Sequence, residues 1–340
     1  MRVFQIEGDW GIQNLKLGTR PDPVPGAGQV LLRMTASSLN YRDLVVPERA
    51  YGPHTGTLPL IPLSDGVGTV VAVGRGVTRV APGQRACPLF FQKWAGGEPD
   101  LTRLTQSLGG PIDGTMAEYM CLSEDGVVAI PEYLQDIEAA TLPCAALTAW
   151  SALTNFNPTR PGDRILVQGS GGVALFALQF AKLLGAHVTV ISSSDAKIER
   201  LQRLGADATI NRRTVPEWAK ATREITQGRG YDNIVELGGE STLPQSLRCV
   251  RPGGTLSMIG ILSGNSMAAS LGPIITRQVR LQGVTVGHRD GFEAMLRAMV
   301  QHRVRPVVDR VFAFEELKEG MAYLRSGAQF GKVCISHQRA

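Results

Sequence analysis

Hydrophobic residues change their spacing along the chain, and this change separates two kinds of sequence. Up to about residue 125, short apolar runs such as Gln29–Met34 and Gly68–Val73 alternate with turns rich in glycine and proline, for example Pro23–Gly26. Runs bounded in this way are typical of strands. We therefore expect a partly closed antiparallel barrel, with the weakly periodic, glycine-rich residues 92–114 forming a long loop or lobe.

From about Leu153 the pattern changes to apolar strand-like runs that alternate with segments of helical spacing. This alternation predicts an α/β domain with a parallel, doubly wound sheet and crossover helices. The predicted strands are Arg164–Gln168, His187–Ile191, Ala208–Ile210, Asn233–Leu237, Thr255–Ile259 and Val279–Val284, and the predicted helices are Val173–Leu184, Ala196–Leu204, Val215–Thr226 and Thr242–Val250. Asp195 is predicted to cap the second of these helices.

The last part of the sequence contains a predicted helix at residues 292–301 and strand-like residues at 310–312 and 332–335. We expect these elements to return to the first domain. The predicted division is therefore residues 1–126 for the first domain and 127–273 for the second, with 274–340 rejoining the first.

A glycine-rich turn follows the first strand of the second domain. It reads Gly169, Ser170, Gly171, Gly172 and Val173, with an apolar strand before it and an apolar helix after it. Glycines let the backbone turn tightly and approach a pyrophosphate, and the following helix offers free N–H groups and a partial positive charge. In this context the turn predicts a dinucleotide site.

The residues after the second strand bear on which dinucleotide binds. An acidic residue there would accept hydrogen bonds from a ribose and repel a 2′-phosphate, but the sequence has Ser192 and Ser193 at this place. Lys197 and Arg212 can add positive charge. We expect NADPH, while Asp195 as a ribose ligand would instead favour NAD.

Composition excludes several classes of function. The net charge of +5 arises from 35 basic and 30 acidic residues without a dense cluster, which argues against nucleic-acid binding. No apolar run reaches the length of a membrane span, and the start is unlike a signal peptide, so we expect a cytoplasmic protein that does not bind membranes. Five widely spaced cysteines suit neither a disulfide framework nor a Cys-x-x-Cys metal site.

Several motifs, in this order, resemble the medium-chain dehydrogenase/reductase superfamily, and most closely its zinc-independent, quinone oxidoreductase-like branch. They are Ser38–Asp43, Pro62–Gly68, Leu142–Trp150, the glycine turn, Arg251–Gly254 and Gly331–Val333, and the likeness spans essentially the whole chain. The resemblance implies a GroES-like β-barrel catalytic domain, a Rossmann domain and a homodimer or homotetramer, of which we expect the homodimer. It also implies hydride transfer between NAD(P)H and a small-molecule electrophile.

The resemblance also indicates which residues to compare with a zinc site. The positions of the zinc ligands in metal-dependent relatives correspond here to Asn40, to Ser64 with Asp65, and to Cys144. A catalytic zinc needs three good protein ligands, and this set offers too few. We therefore expect neither a catalytic zinc nor, with a single cysteine in residues 87–114, a structural one.

By the same resemblance, Asn40 and Tyr41 are the candidate hydrogen-bond donors to substrate, and Asp43 is expected to orient local groups. Thr148 is expected beside the nicotinamide and Lys332 near the pyrophosphate, unless Lys332 is an ordinary surface lysine. Gly260 and Ile261 end the fifth strand, where a doubly wound sheet presents its ligand crevice.

Three functions remain open from the sequence. The preferred one is an NADPH-dependent, zinc-independent reductase of quinones or α,β-unsaturated carbonyls, because a conjugated acceptor spreads the developing negative charge and needs only a hydrogen-bond donor. The alternatives are an NAD(P)-dependent alcohol dehydrogenase acting on alcohols or aldehydes, and an NADPH-binding protein without turnover.

Overall fold

The computed structural model describes residues 1–50, 52, 55–266 and 269–338. The strands in this part of the chain are β1 (Arg2–Ile6), β2 (Leu15–Thr19), β3 (Gln29–Leu39), β4 (Asp65–Val73), β5 (Arg85–Pro88), β6 (Tyr119–Ser123), β7 (Val127–Ala129), β8 (Arg164–Gln168), β9 (His187–Ser192), β10 (Ala208–Asn211), β11 (Tyr231–Glu236), β12 (Val250–Met258), β13 (Arg280–Gly283), β14 (Val308–Ala313) and β15 (Lys332–Ser336). The α-helices are α1 (Arg42–Val45), α2 (Leu101–Leu104), α3 (Asp136–Ala139), α4 (Leu147–Thr154), α5 (Gly172–Leu183), α6 (Asp195–Arg203), α7 (Trp218–Ile225), α8 (Leu243–Cys249), α9 (Leu271–Thr276), α10 (Arg289–His302) and α11 (Leu317–Arg325).

The chain forms two compact units. The first comprises residues 1–147 and the chain from Val286 onward, and the second runs from Thr148 to Thr285. Both divisions fall later along the sequence than the predicted 126/127 and 273/274. One reason is that α3 is tied to the first unit, where its Asp136 pairs with Arg85 at 2.8 Å.

The first unit is built on a largely antiparallel sheet in the order β14-β15-β3-β4-β5-β7, with β6 also paired to β3. From Gln29 to Ala36 the buried positions of β3 alternate, because one face of the strand is covered while the other is more open, and the last residues of the strand are all buried. Its inward residues Val30, Leu32 and Met34 join an apolar cluster with β4 and β6. The terminal strands β14 and β15 pair in parallel and return to β3 through antiparallel pairing.

The first unit also has a lobe at residues 92–114, where the sequence predicted a long loop or lobe. Residues 92–114 contain the single-turn helix α2 and isolated bridges such as Leu108 to Ile112. The guanidinium of Arg42, which is buried, donates to the carbonyls of Leu108 at 2.7 Å and Gly110 at 2.9 Å and lies over the ring of Phe90. Arg42 therefore anchors the lobe.

The second unit is a parallel six-stranded sheet in the order β10-β9-β8-β11-β12-β13. Strand order reverses between β8 and β11, so the predicted doubly wound sheet is confirmed. The strand β8 has the predicted bounds, and the other predicted strands are found with ends shifted by a few residues. Asp195 is not the cap of α6: the cap residue is Ser194, and Asp195 opens the helix and accepts a 2.7 Å hydrogen bond from Asn211.

None of the helices in the described ranges is both long and apolar enough to cross a membrane.

Candidate functional site

The turn after β8 has the backbone that a pyrophosphate needs. Gly169 has φ +86°, a left-handed conformation that favours glycine, and its N–H donates to the carbonyl of Ile191 at 2.6 Å. A Cβ added at Gly169 or Gly171 would meet no atom within 4 Å, so both positions face open space. Gly171 caps the twelve-residue helix α5, whose first N–H groups are available to an anion. The described residues therefore fit the phosphates of a dinucleotide.

A buried carboxylate joins the two strands at which the sheet order reverses. Glu236, at the end of β11, accepts hydrogen bonds from Gln168 at 2.7 Å and from the hydroxyls of Thr242 and Ser246 at 2.5 Å each. It also accepts from the backbone N–H groups of residues 238 and 239 at 3.0 and 3.1 Å. This network fixes the loops after β8 and β11 against each other. Sequence reasoning missed it, although a polar residue ending each of two apolar strands was a visible signal.

Gly260 lies at the same carboxyl edge of the sheet. A Cβ there would come within 2.1 Å of the carbonyl oxygen of Leu237, so the close approach of these two loops requires glycine. Ile261 is exposed beside it, and Thr148 is buried at the start of α4. Ile261 therefore offers an apolar surface at the carboxyl edge of the sheet, and its contact with a cofactor stays a prediction.

The residues predicted to set cofactor preference lie at the ends of neighbouring strands. Ser192 ends β9, and its carbonyl accepts the backbone N–H of Arg212 at 2.8 Å directly after β10. Ser193 is half-buried, Lys197 lies in the first turn of α6, and the Arg212 side chain is exposed. The structure thus brings these four residues to one corner of the sheet. Asp195 lies there too, with its carboxylate bonded to an asparagine amide.

A cluster of polar side chains forms a second centre, in the first unit. Asn40 lies directly after β3, and its amide oxygen Oδ1 accepts from the Lys332 ammonium at 2.6 Å. Lys332 also donates to the carbonyl of Leu39 at 2.6 Å and faces Asp65 Oδ2 at 3.9 Å. The surface reading of Lys332 is wrong, because only 3% of the residue is exposed.

Asp65 is completely buried in this cluster. The hydroxyl of Ser64 donates to it at 3.0 Å and the N–H of Cys144 at 3.2 Å. Burial raises the pKa of Asp65, while the Lys332 charge and the hydrogen bonds act in the opposite direction. Asp65 is therefore a partner of the buried ammonium, and not a free carboxylate.

Two residues that follow Asn40, Tyr41 and Asp43, differ in their exposure. Asp43 is buried, and its Oδ2 accepts the backbone N–H of Asn40 at 2.7 Å, which agrees with an orienting role. Burial raises the pKa of Asp43 to about 7. Tyr41 is half exposed and caps α1 with its backbone. Its phenol therefore remains a candidate donor that the local fold leaves accessible.

The donor set at Asn40, Ser64, Asp65 and Cys144 does not fit a zinc ion. Two of the four are a neutral amide and a hydroxyl, which are not the Cys, His or carboxylate ligands that zinc takes in proteins. The carboxylate already faces an ammonium, whose charge would repel a divalent cation. Within the described ranges, no three His, Cys, Asp or Glu side chains are grouped as metal ligands would be.

Comparison with known proteins gives matches over nearly the whole chain. Residues 26–132 match the alcohol dehydrogenase GroES-like domain family, and residues 172–301 match the zinc-binding dehydrogenase family. A zinc-type alcohol dehydrogenase-like protein of Schizosaccharomyces pombe is 40% identical over 314 residues, which cover 91% of this chain and 90% of that protein.

Solved structures agree. The crystal structure of a Sinorhizobium meliloti 1021 protein described as an alcohol dehydrogenase is 41% identical with a TM-score of 0.92, and the match covers 98% of both chains. That of an NAD-dependent alcohol dehydrogenase is 32% identical with a TM-score of 0.90, covering 99% of this chain and 100% of the other. The GroES-like and parallel-sheet architecture is thus shared with relatives of known structure.

Proposed function

The chain belongs to the medium-chain dehydrogenase/reductase superfamily, in its zinc-type alcohol dehydrogenase-like branch, and from this premise we propose that it is an NADPH-dependent, zinc-independent reductase of quinones or α,β-unsaturated carbonyls. Membership establishes an oxidoreductase that uses a nicotinamide dinucleotide. The proposal adds the acceptor, the choice of NADPH and the independence from zinc.

The observation that carries the proposal is the donor set around Asn40. A saturated ketone or aldehyde needs strong polarisation of its oxygen, for which zinc is the usual Lewis acid. The described cluster instead offers the half-buried amide of Asn40, whose oxygen is held by the buried Lys332 ammonium. A hydrogen-bond donor of this kind is sufficient for a conjugated acceptor, because its negative charge is shared along the conjugated system.

In this proposal, residues of the chain bind the cofactor, donate hydrogen bonds to the acceptor and hold the donor in place. The turn from Gly169 to Gly171 and the N-terminus of α5 would hold the phosphates of the dinucleotide, which supplies the hydride when bound. Asn40, and Tyr41 if it turns toward the ligand, would donate hydrogen bonds to the acceptor oxygen. Asp43 would hold the backbone at Asn40 in place.

The test is a panel of acceptors assayed by NADPH oxidation, with 1,4-benzoquinone, 2-cyclohexen-1-one and cyclohexanone. We expect turnover of the quinone or the enone at least about tenfold faster than that of the saturated ketone. Dialysis against a chelator should leave the rate unchanged, and metal analysis should find no stoichiometric zinc. A rate that depends on zinc would refute the metal-free proposal.

Alcohol dehydrogenase activity is the second candidate, because the relatives found by comparison carry that name. This activity would be favoured if ethanol or a longer alcohol reduces NADP⁺ steadily, at a higher rate than an enone oxidises NADPH. A protein that binds NADPH but oxidises it with none of these acceptors would instead be a binding protein without turnover.

The proposed preference for NADPH has its own test. An exposed arginine next to a 2′-phosphate contributes a charge-assisted contact that NADH cannot use. Arg212→Gln should therefore weaken NADPH binding about tenfold and leave NADH binding unchanged. Arg213→Gln is the matched control, since Arg213 is the neighbouring exposed arginine. Equal affinities of the unaltered protein for NADPH and NADH would contradict the assignment.

A further inference from the structure

The Lys332 ammonium lies in a place where lysine side chains are costly. Burial of an unpaired charge costs several kcal/mol, so a buried ammonium persists only with partners. Here two of its three N–H groups donate at 2.6 Å, to the carbonyl of Leu39 and to Oδ1 of Asn40. The remaining side of the ammonium faces Asp65 at 3.9 Å. The ammonium is thus fully engaged within the first unit.

This arrangement fixes the orientation of the Asn40 side-chain amide. An ammonium can only donate hydrogen bonds, so the group of Asn40 that faces it must be the oxygen. The amide nitrogen Nδ2 must then point to the opposite side. On that side lie Ser64 Oγ, at 3.5 Å, and the Asp65 carboxylate, whose pKa the Asn40 side chain helps to lower. Ser64 Oγ and Asp65 Oδ1 are 3.0 Å apart, so one N–H of Nδ2 can serve both. Since Asn40 is only half-buried, the second N–H is left for a ligand.

We propose that Lys332 is a positioning residue that turns the Asn40 amide so that Nδ2, and not Oδ1, faces the acceptor. The inference rests on the proposed function and deepens it. A site that presents an N–H can donate to the oxygen of a carbonyl or quinone, which has lone pairs and no proton of its own to give. The ammonium also withdraws electrons from the amide through Oδ1, which makes the N–H a better donor to an oxygen that is gaining negative charge.

This role differs from the one the sequence suggested for Lys332. A pyrophosphate ligand would contribute to cofactor affinity and leave the chemical step largely untouched. A residue that acts through Asn40 would instead contribute to the chemical step and leave the affinity for the cofactor largely unchanged. The two roles are therefore separated by whether NADPH binding or kcat changes when Lys332 is replaced.

The experiment compares Lys332→Met, Asn40→Ala and the double variant with the unaltered enzyme, measuring kcat, KM for the acceptor and the Kd of NADPH. We expect Lys332→Met to lower kcat about 10–100-fold, with the NADPH Kd changed by less than about threefold. The double variant should be no slower than Asn40→Ala alone to within about threefold, because the two residues act as one unit. Lys318→Met, at an exposed lysine of α11, is the control.

Asn40→Asp tests the same idea if loss of Lys332 prevents folding. The carboxylate keeps the size of the side chain and the bond to the ammonium, and removes only the outward N–H. It should therefore fold and lose kcat about 100-fold.

Three outcomes overturn the inference. The first is a weaker NADPH Kd with unchanged kcat in Lys332→Met, the second is multiplicative effects in the double variant, and the third is full activity of Asn40→Asp.

If the unaltered protein reduces aldehydes but neither quinones nor enones, the proposed function fails while the same comparison still tests Lys332 on the aldehyde. If it reduces no carbonyl acceptor at all, both proposals fail.

Discussion

Asp43 gives the first unit a pH dependence that can be stated with its sign. Its pKa of about 7 is well above the ordinary 3.8, chiefly because the carboxyl is buried, and its Oδ1 has no hydrogen-bond partner among the described residues. Between these two values the folded protein holds a proton that the unfolded chain has released. The contribution of Asp43 to the free energy of unfolding is therefore greatest below about pH 4, and it is lost as the pH rises through 7.

Asp43→Asn should remove this dependence. Relative to the unaltered protein, we expect the variant to gain stability between pH 5 and pH 8, on the order of 2 kcal/mol. Urea unfolding at the two pH values measures the difference, and Glu319→Gln, at an exposed carboxylate, is the control. A difference that is the same at both pH values would show that Asp43 is already ionised at pH 5.

At the scale of the elements, the buried Arg42 side chain holds the lobe of residues 92–114 from outside it, through two of the lobe's carbonyls. Arg42→Met would fill much of the same space but leave the carbonyl of Leu108 without its side-chain donor and take one donor from the carbonyl of Gly110, which keeps the Ser107 hydroxyl. We expect a loss of about 2–4 kcal/mol in urea unfolding and faster proteolytic cleavage within the lobe. Arg103→Met is the matched control, because that arginine is partly exposed on the lobe surface. Equal cleavage rates in the two variants would contradict the anchoring role.

The Glu236 network couples two strand ends in the second unit. Glu236→Gln keeps the shape but replaces one acceptor oxygen by an NH₂ group, which meets donors already aimed at it. We expect a loss of about 2 kcal/mol in stability, since hydrogen bonds to a charged group are among the stronger ones. NADPH should also bind about tenfold more weakly, because the loops at the strand reversal lose their common anchor.

The exposed Glu224 offers a control for this change, as Glu224→Gln alters the charge of the same unit without touching the network. Unaltered NADPH affinity in a destabilised Glu236→Gln protein would mean that the network supports the fold alone.

These elements show how far the sequence could be taken. The parallel sheet was predictable, because strands buried on both faces give continuous apolar runs, and β8 has the predicted bounds. The cap of α6 was missed by one residue, since Ser194 and Asp195 are both good cap residues. The partners of Lys332 were beyond the sequence, because Asn40 lies 292 residues away and only the pairing of β15 with β3 brings them together.

At the scale of the whole molecule, the second unit has a sheet edge that suits a second copy of the chain. In the described part of the chain, β13 ends the order of the parallel sheet, so one side of the strand presents unpaired N–H and C=O groups. The preceding helix α9 exposes Leu271 and Ile275, each about two-thirds or more accessible. Exposed apolar side chains and an open strand edge are each typical of an interface. We propose that the homodimer implied by the resemblance forms through them.

We therefore expect light scattering after size exclusion to give a mass of about 73 kDa, twice the 36.5 kDa of one chain. Replacing both Leu271 and Ile275 by Glu should shift the protein to the monomer mass, because a second copy would then bury four carboxylates without partners. Leu101→Glu, at a still more exposed leucine of the first unit, should leave the dimer intact. A monomeric unaltered protein, or a dimer that survives the double change, would show that this edge is not the interface.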